Sequence, residues 1–478
     1  MKDELIGNSV RSRLLSTSNG GQMTLEIIIS LFILVMSVSA IIMVFFGNQS
    51  VVVDVESNNQ GLDMARLELE QARSIGKKDF NALVSSTKIE GIYSKEIVVQ
   101  SLDSQTKKVT SKVSWQTEFN RPQKIELNTL VTNYTNFVAL GGDTGGANPS
   151  GDWTNIRTLG SIDLGPGSSA TDLDVLNKIV YLSSTASASS KPDLFIANAI
   201  DGQNPFIVSS LNTGPGLNTI DVAYNYAYVG NKDVNAQLQI IDVSNSASPV
   251  LLTSFKLPGV SGSGAVGNSI FYNSGKIYIG TKQATGPEFQ IIDVSNPASP
   301  VSLGSKKIGA DINSIYVRGN IAYLATSDDT ELKVFDVGTP SLIVFLGGFD
   351  APGDSEDGKS LDLVGNNLYL GRIVGGNHSD HPEFHIVDVT NPATIQNLGS
   401  KDLAVDLNDL RIREPLAFLA TSDSNKEFQV WNVSNKANPT LWSSLNFPQL
   451  ATGIDYEDNF IYVSIRSNDG LRILTSNP

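Results

Sequence analysis

The chain has 478 residues, no Cys and a formal charge of −15. The missing Cys excludes disulfides, thiolate metal sites and Cys nucleophiles, so an exported fold would be held by packing alone. Residues 1–137 hold 14 Lys and Arg against 14 Asp and Glu, so the negative charge falls on 138–478, with 20 against 35, which argues against nucleic acid and anionic lipid as partners.

A leader carrying Lys2, Arg11 and Arg13 precedes Gly20-Gly21-Gln22-Met23-Thr24-Leu25-Glu26, and Ile27 to Phe46 then contains no charged residue. An apolar run of about 20 residues is long enough to span a bilayer as a helix. The cations before it favour a cytoplasmic leader and place the chain after Phe46 outside. A carboxylate at the head of such a run costs about 2.5–3.5 kcal/mol unless paired. A secretory signal peptide has a shorter apolar core, with its cleavage site after it; an ordinary signal anchor is the competing reading. The segment resembles the processing site of type IV prepilins. That resemblance implies cleavage between Gly21 and Gln22 by prepilin peptidase, methylation of the new amine, and pairing of Glu26 with the N-terminus of a neighbouring pilin subunit. Gln22 stands where the family usually has Phe, and the family's mid-helix Pro is absent.

Residues 61–73 are rich in helix formers, with Leu62, Ala65, Leu69 and Ala72 on one face. Gly76-Lys77-Lys78 reads as the end of that helix, and Gly47 with Asn58-Asn59 predicts a bend or loosened turn over 47–60. Three period-two runs follow at 92–102, 108–117 and 123–131, predicting an antiparallel sheet laid on the helix, a layout similar to minor pilins and pseudopilins. The Gly-rich stretch from Gly141 to Asp152 predicts a flexible linker.

From about residue 157 the chain repeats. An apolar anchor begins at Leu194, Leu238, Phe289, Leu332, Phe384, Phe428 and Leu471, at spacings of 44, 51, 43, 52, 44 and 43. That period is close to the roughly 40–45 residues of a four-stranded propeller blade. Each copy opens with a short hairpin turn, such as Gly319-Asn320. The last copy stops after its third strand, and an orphan fourth strand at 158–164 predicts closure of a seventh blade by the two ends. The motif resembles LVIVD-type repeats over about two-thirds of the chain, which implies a propeller and leaves its site undefined.

The residues suited to chemistry have structural readings. Asp242, Asp293, Asp336 and Asp388 precede Ser-Asn-Pro-like turns, where an Asp hydrogen-bonds the turn backbone. All three His, His378, His381 and His385, fall in one segment with ligand-like character, but His385 fills a slot held by Gln239, Gln290 and Gln429 in other copies. The acidic loop 350–358 lacks the ligand spacing of a calcium loop. No metal, cofactor or catalytic residue is assigned. Loop length varies between second and third strands and between blades, loops that share one rim; this fits a ligand-presenting surface and equally fits drift at tolerant positions.

The expected fold is an α+β pilin-like N-terminal domain, a long hydrophobic helix plus a small antiparallel sheet, followed by an all-β seven-bladed propeller. Its parts are a leader at 1–21, a helix at 22–80, a sheet at 86–137, a linker at 138–156 and the propeller at 157–478. The expected function is a non-enzymatic cell-surface subunit, held in the cytoplasmic membrane before assembly into a pilus or pseudopilus. Its partners would be prepilin peptidase, other pilins, and an extracellular protein or glycan bound at the propeller rim in adhesion. The alternatives are a membrane-tethered hydrolase or lyase and a structural spacer.

Overall fold

The computed structural model describes residues 20–78, 80, 82–101, 106–116, 121–132, 149–186, 188, 190–353, 357–374 and 381–477, with side chains of the N-terminal helix described over 31–43 and 57–76. The chain divides into two compact units, Met1–Tyr134 and Thr135–Pro478.

In the first unit, helix α1 (Gly20–Lys78) runs without a break through 47–60, where the sequence predicts loosening. Four strands follow: β1 (Ser86–Glu90), β2 (Tyr93–Ser101), β3 (Thr106–Gln116) and β4 (Pro122–Thr132), paired in chain order. Ala65, Leu69 and Ala72 are buried, in clusters that include Val109, Val113, Trp115 and Val131 of the sheet. Close approach requires Gly61, where a Cβ would lie 2.7 Å from the Trp115 ring. Lys95 sits between Glu68 at 2.8 Å and Glu90 at 2.7 Å, and these pairings raise its pKa. The sheet has one strand more than expected. β1 is exposed along its whole length, so it has no apolar face to betray it.

The second unit contains seven four-stranded antiparallel sheets, at 168–211, 217–255, 267–306, 312–349, 358–401, 407–445 and 451–477, numbered here as blades 1 to 7. The seventh takes its fourth strand, Asp152–Ile162, from the start of the unit, in register from Leu471↔Ile162 to Asn477↔Asp152. The strand starts earlier than the pattern at 158–164, and Trp153 packs edge-on against Phe418 at 4.8 Å. Second and third strands are buried on both faces, as Ile321–Thr326 and Leu332–Asp336 illustrate. Fourth strands are more exposed and carry small residues where the next blade approaches; at Gly304 a Cβ would lie 1.7 Å from the Pro340 carbonyl oxygen.

The expected fold class is corrected. The chain is nearly all-β, with eight four-stranded sheets; among the described residues, helix is confined to α1 and a single turn at Pro392–Thr394. The pilin-like α+β assignment rests on a membrane-spanning helix, and among the described residues no helix is long and apolar enough to cross a membrane. From residue 57 on, α1 sets core positions among charged ones such as Arg66, Glu70 and Arg73.

Candidate functional site

First strands of consecutive blades are neighbours around a closed ring, and carboxylates tie them together, Asp362 and Asp455 buried and Asp172, Asp174 and Asp409 half-buried. Asp174 accepts the N–H of Val175 in its own strand at 2.8 Å and that of Val222 in the next blade at 2.6 Å. Asp362 does the same with Leu363 and Ile412, both at 2.8 Å. Across the closure, Asp455 accepts from Tyr456 at 2.8 Å and Val175 at 3.0 Å. Asp172 and Asp409 repeat the device two residues earlier in their strands, bridging to Ile220 and Ile454. Burial, with help from Asp409, pushes the Asp172 carboxyl up to about 7; burial pushes Asp409 up to about 6. Asp174 is raised well above the usual carboxylate range by burial and then by Asp455 and Asp221. Each of these groups has an ordinary structural task, since it satisfies two backbone donors that no ladder reaches.

A second repeated device stands immediately before the third strand of blades 1 to 6. Asp193, Gln237, Glu288, Glu331, Glu383 and Glu427 are buried, and each accepts a backbone N–H twenty residues further on, at Thr213, Leu257, Ile308, Ala351, Leu403 and Phe447. The acceptor pins the start of the connection to the next blade. Its signal in the sequence is an acid or amide directly preceding the apolar anchor, a position the anchor pattern leaves out. In blade 4 the acid also forms a fully buried ion pair, Glu331 to Arg372 of blade 5 at 2.6 Å. Pairing favours the ionised carboxyl and burial opposes it; burial is the larger effect and raises Glu331 to about 7.

We call the end where first strands begin the upper end. At the lower end every blade has a two-residue first hairpin, and the third-to-fourth connections of blades 1 to 6 are all seven residues long. At the upper end, second-to-third connections range from five residues (327–331) to eleven (373–383), and connections between blades from five (212–216) to eleven (256–266). The long connection before blade 3 is bound to that blade's own loop by a pair of hydrogen bonds, Ser261 to Thr285, at 2.9 and 3.0 Å.

Charge is also distributed unevenly at the upper mouth of the ring. The residue after the second strand pairs with the backbone just before the first strand, and that place holds Lys232 on blade 2 and Arg466 on blade 7, with Lys282 at the equivalent position of blade 3. On blades 4, 5 and 6 the residue before the first strand is Asp311, Asp357 or Asp406. Burial, then the proximity of Asp311 and Asp328, raises the pKa of Asp357.

The sequence-predicted residues are distributed differently. Asp242, Asp293, Asp336 and Asp388 accept the N–H two residues on, at 2.8 to 2.9 Å, at the lower end. Local hydrogen bonds from Ser244, Ser295 and Thr390 hold Asp242, Asp293 and Asp388 below the usual range. His378 lies outside the described residues. His385 is fully buried, its Nε2 lies 2.8 Å from the Pro382 carbonyl oxygen, and burial beside the Arg372 guanidinium lowers its pKa to about 4. Among the described residues no group of three or more His, Asp or Glu is placed to hold a metal ion, and His381 and His385 do not form one. In the acidic loop, 354–356 lie outside the described residues, and Asp357 joins the mouth. The side chains of Gly21, Gln22 and Glu26 lie outside the described residues as well.

The LVIVD repeat family matches residues 218–256, 277–306 and 309–351. These segments carry LVIVD repeats, and they lie within the propeller. Among solved structures it is similar to a chain of the mitotic checkpoint complex, at 14% identity and a TM-score of 0.50, covering 70% of this chain and 97% of that one. It is also similar to virginiamycin B lyase from Staphylococcus aureus, at 11% identity and a TM-score of 0.50, covering 67% and 98%. A WD40 β-propeller domain of Doa1 aligns at 15% identity with a TM-score of 0.47, covering 68% and 97%. Likeness at these identities concerns fold alone. No curated protein matches the chain. The resemblance to type IV prepilins is corrected: what the comparisons find is LVIVD repeats and a propeller, and among the described residues no helix is long and apolar enough to cross a membrane.

Proposed function

We propose that this chain is a binding protein that presents the upper end of its propeller to a protein or glycan ligand, in adhesion or a similar recognition role. The observation that carries this reading is the confinement of loop variation to one end. Lower connections keep one length from blade to blade, whereas upper connections span five to eleven residues. Where a rigid scaffold fixes the strands, variable loops on one face are the usual bearers of recognition. Catalysis by a hydrolase or lyase is disfavoured by the commitments of the raised carboxylates. Asp172, Asp409 and Glu331 each accept backbone donors, which leaves little freedom for proton transfer to a substrate.

The test is binding of the full chain to glycan and peptide arrays, with substitutions at each end. Lys282→Ala with Arg466→Ala alters the upper mouth. Arg157→Ala alters an open groove of about 610 Å³ at the lower end, between blades 7 and 1. The expected result is array binding that the upper variant loses and the lower variant keeps. Binding lost only in the lower variant, or turnover of an array ligand by the wild type, would overturn the reading.

A further inference from the structure

The upper mouth departs from sevenfold repetition at one residue. On six blades the residue at the register shift of the first strand is Thr171, Asn218, Asn268, Asn313, Asn408 or Thr452, and its side chain donates to a backbone carbonyl of the next blade. On blade 5 that position is Lys359, and Ser360 supplies the bridge instead, to the Leu407 carbonyl at 3.2 Å. Among the described residues the Lys359 ammonium makes neither a hydrogen bond nor an ion pair. Lys232 and Lys359 are half-buried, and both lie within electrostatic reach of the exposed Lys282 and Arg466. Burial, followed by repulsion from Lys282 and Arg466, lowers the pKa of Lys232 and of Lys359.

Asp357, Asp406 and Asp409 lie within electrostatic reach of Lys359, and most of the acids at the mouth also hold backbone donors. Asp406 accepts the Val374 N–H at 2.9 Å, Asp311 that of Gln283 at 2.7 Å, and Asp409 those of Leu410 and Ile454. Among the described residues none of the four cations is ion-paired with them. Desolvated like charges that no direct ion pair compensates are unfavourable. The domain is acidic, with 20 Lys and Arg against 35 Asp and Glu over 138–478, and its mouth sets these four cations beside Asp311, Asp357 and Asp406.

Taking the upper end as the binding face, as the reading above does, we infer that the channel mouth binds a small polyvalent oxyanion, a phosphate- or carboxylate-bearing ligand. Lys359 stands at its base, and Lys232, Lys282 and Arg466 stand around it. Charge-assisted hydrogen bonds from converging cations are the chemistry that recognises such groups.

The test is calorimetric titration of the full chain with inorganic phosphate and with citrate, against chloride at matched ionic strength. Lys359→Asn is the main variant, because Asn is the residue that blades 2, 3, 4 and 6 use at this place. The expected result is saturable one-to-one binding of phosphate or citrate, weakened at least about tenfold in Lys359→Asn and unchanged in Lys276→Ala at the lower end. Binding of phosphate alone identifies a phosphoryl ligand, and of citrate alone a carboxylate. Absence of both, an equal response to chloride, or undiminished affinity in Lys359→Asn overturns the inference. Should Lys359→Asn fold poorly, the exposed double variant Lys282→Ala/Arg466→Ala decides: undiminished affinity there overturns it too. Because the ions are titrated without any macromolecule, failure here leaves the array result intact, and blank arrays leave this one intact.

Discussion

The two ends of the propeller are built from the same seven blades and satisfy their polar groups in different ways. At the lower end the third-to-fourth turn of each of blades 1 to 6 is closed within its own blade. Asn198, Asp242, Asp293, Asp336, Asp388 and Asn432 close their own turns two residues on, so one loop design serves blades 1 to 6. At the upper end the acceptor before the third strand reaches the connection twenty residues later, and the loops between such anchors are free to differ. A propeller can therefore vary its upper loops without loosening its blades, because the acceptor ends one variable loop and its donor stands at the start of the next. The lesson is that repetition marks the scaffold, and departures such as Lys359 mark what the scaffold carries.

If that contrast is right, the largest loss should come from a buried anchor. Glu331 holds the Ala351 N–H at 2.9 Å and the Arg372 guanidinium at 2.6 Å, with both charged side chains fully buried. Glu331→Ala at pH 8, where the carboxyl is mostly ionised, is expected to lower unfolding free energy by about 3–5 kcal/mol in a denaturant titration. Most of that cost comes from Arg372 losing its carboxylate, so Glu331→Leu/Arg372→Met should recover much of it. A loss below about 1 kcal/mol, the scale of one ordinary hydrogen bond, would show that the anchors are dispensable and the contrast between the ends superficial.

Protonation gives a medium-sized effect of definite sign. Asp172, Asp409 and Glu331 have folded-state pKa values raised to about 7, 6 and 7, above unfolded values of 3.8, 3.8 and 4.5. Their contribution is fully present below the unfolded values and is lost as pH rises through the folded ones. His385, lowered to about 4, contributes with the opposite sign between 4 and 6.5 and is nearly silent above that. Between pH 6.5 and 8 the protein should therefore lose about 1–2 kcal/mol of stability. Asp172→Asn should flatten that slope, measured as midpoint against pH. A slope of the opposite sign, or one that Asp172→Asn leaves unaltered, would refute the burial argument.

Blades were legible in the sequence because their signals are local and repeated: the anchor, the two-residue hairpin, and the orphan strand that completes blade 7. The turn-closing role of Asp242, Asp293, Asp336 and Asp388 was legible for the same reason, since each acts within its own loop. The ring of carboxylates was not. Asp174 and Val222 are 48 residues apart and Asp455 and Val175 are 280 apart, and no local pattern announces such a partner. The anchors before the third strands sit one residue outside the repeated apolar pattern. Strand β1, polar and exposed along its whole length, offers no periodicity at all. The resemblance to prepilins rests on a short N-terminal motif, and a local motif carries less weight than a pattern that recurs seven times.

The smallest stability effect should fall where the functional effect is largest. Lys282 is exposed at the mouth and makes no described hydrogen bond or ion pair, so Lys282→Ala should change unfolding free energy by no more than about 0.5 kcal/mol. Removing one of several mutually repelling cations also relieves the charge on Lys232 and Lys359, so a slight gain is the expected direction. Asp293→Ala at the lower end removes a turn acceptor and should cost about 1 kcal/mol. Measured side by side, the two substitutions separate scaffold from cargo. A cost for Lys282→Ala as large as that for Asp293→Ala would mean that the mouth cations belong to the scaffold after all.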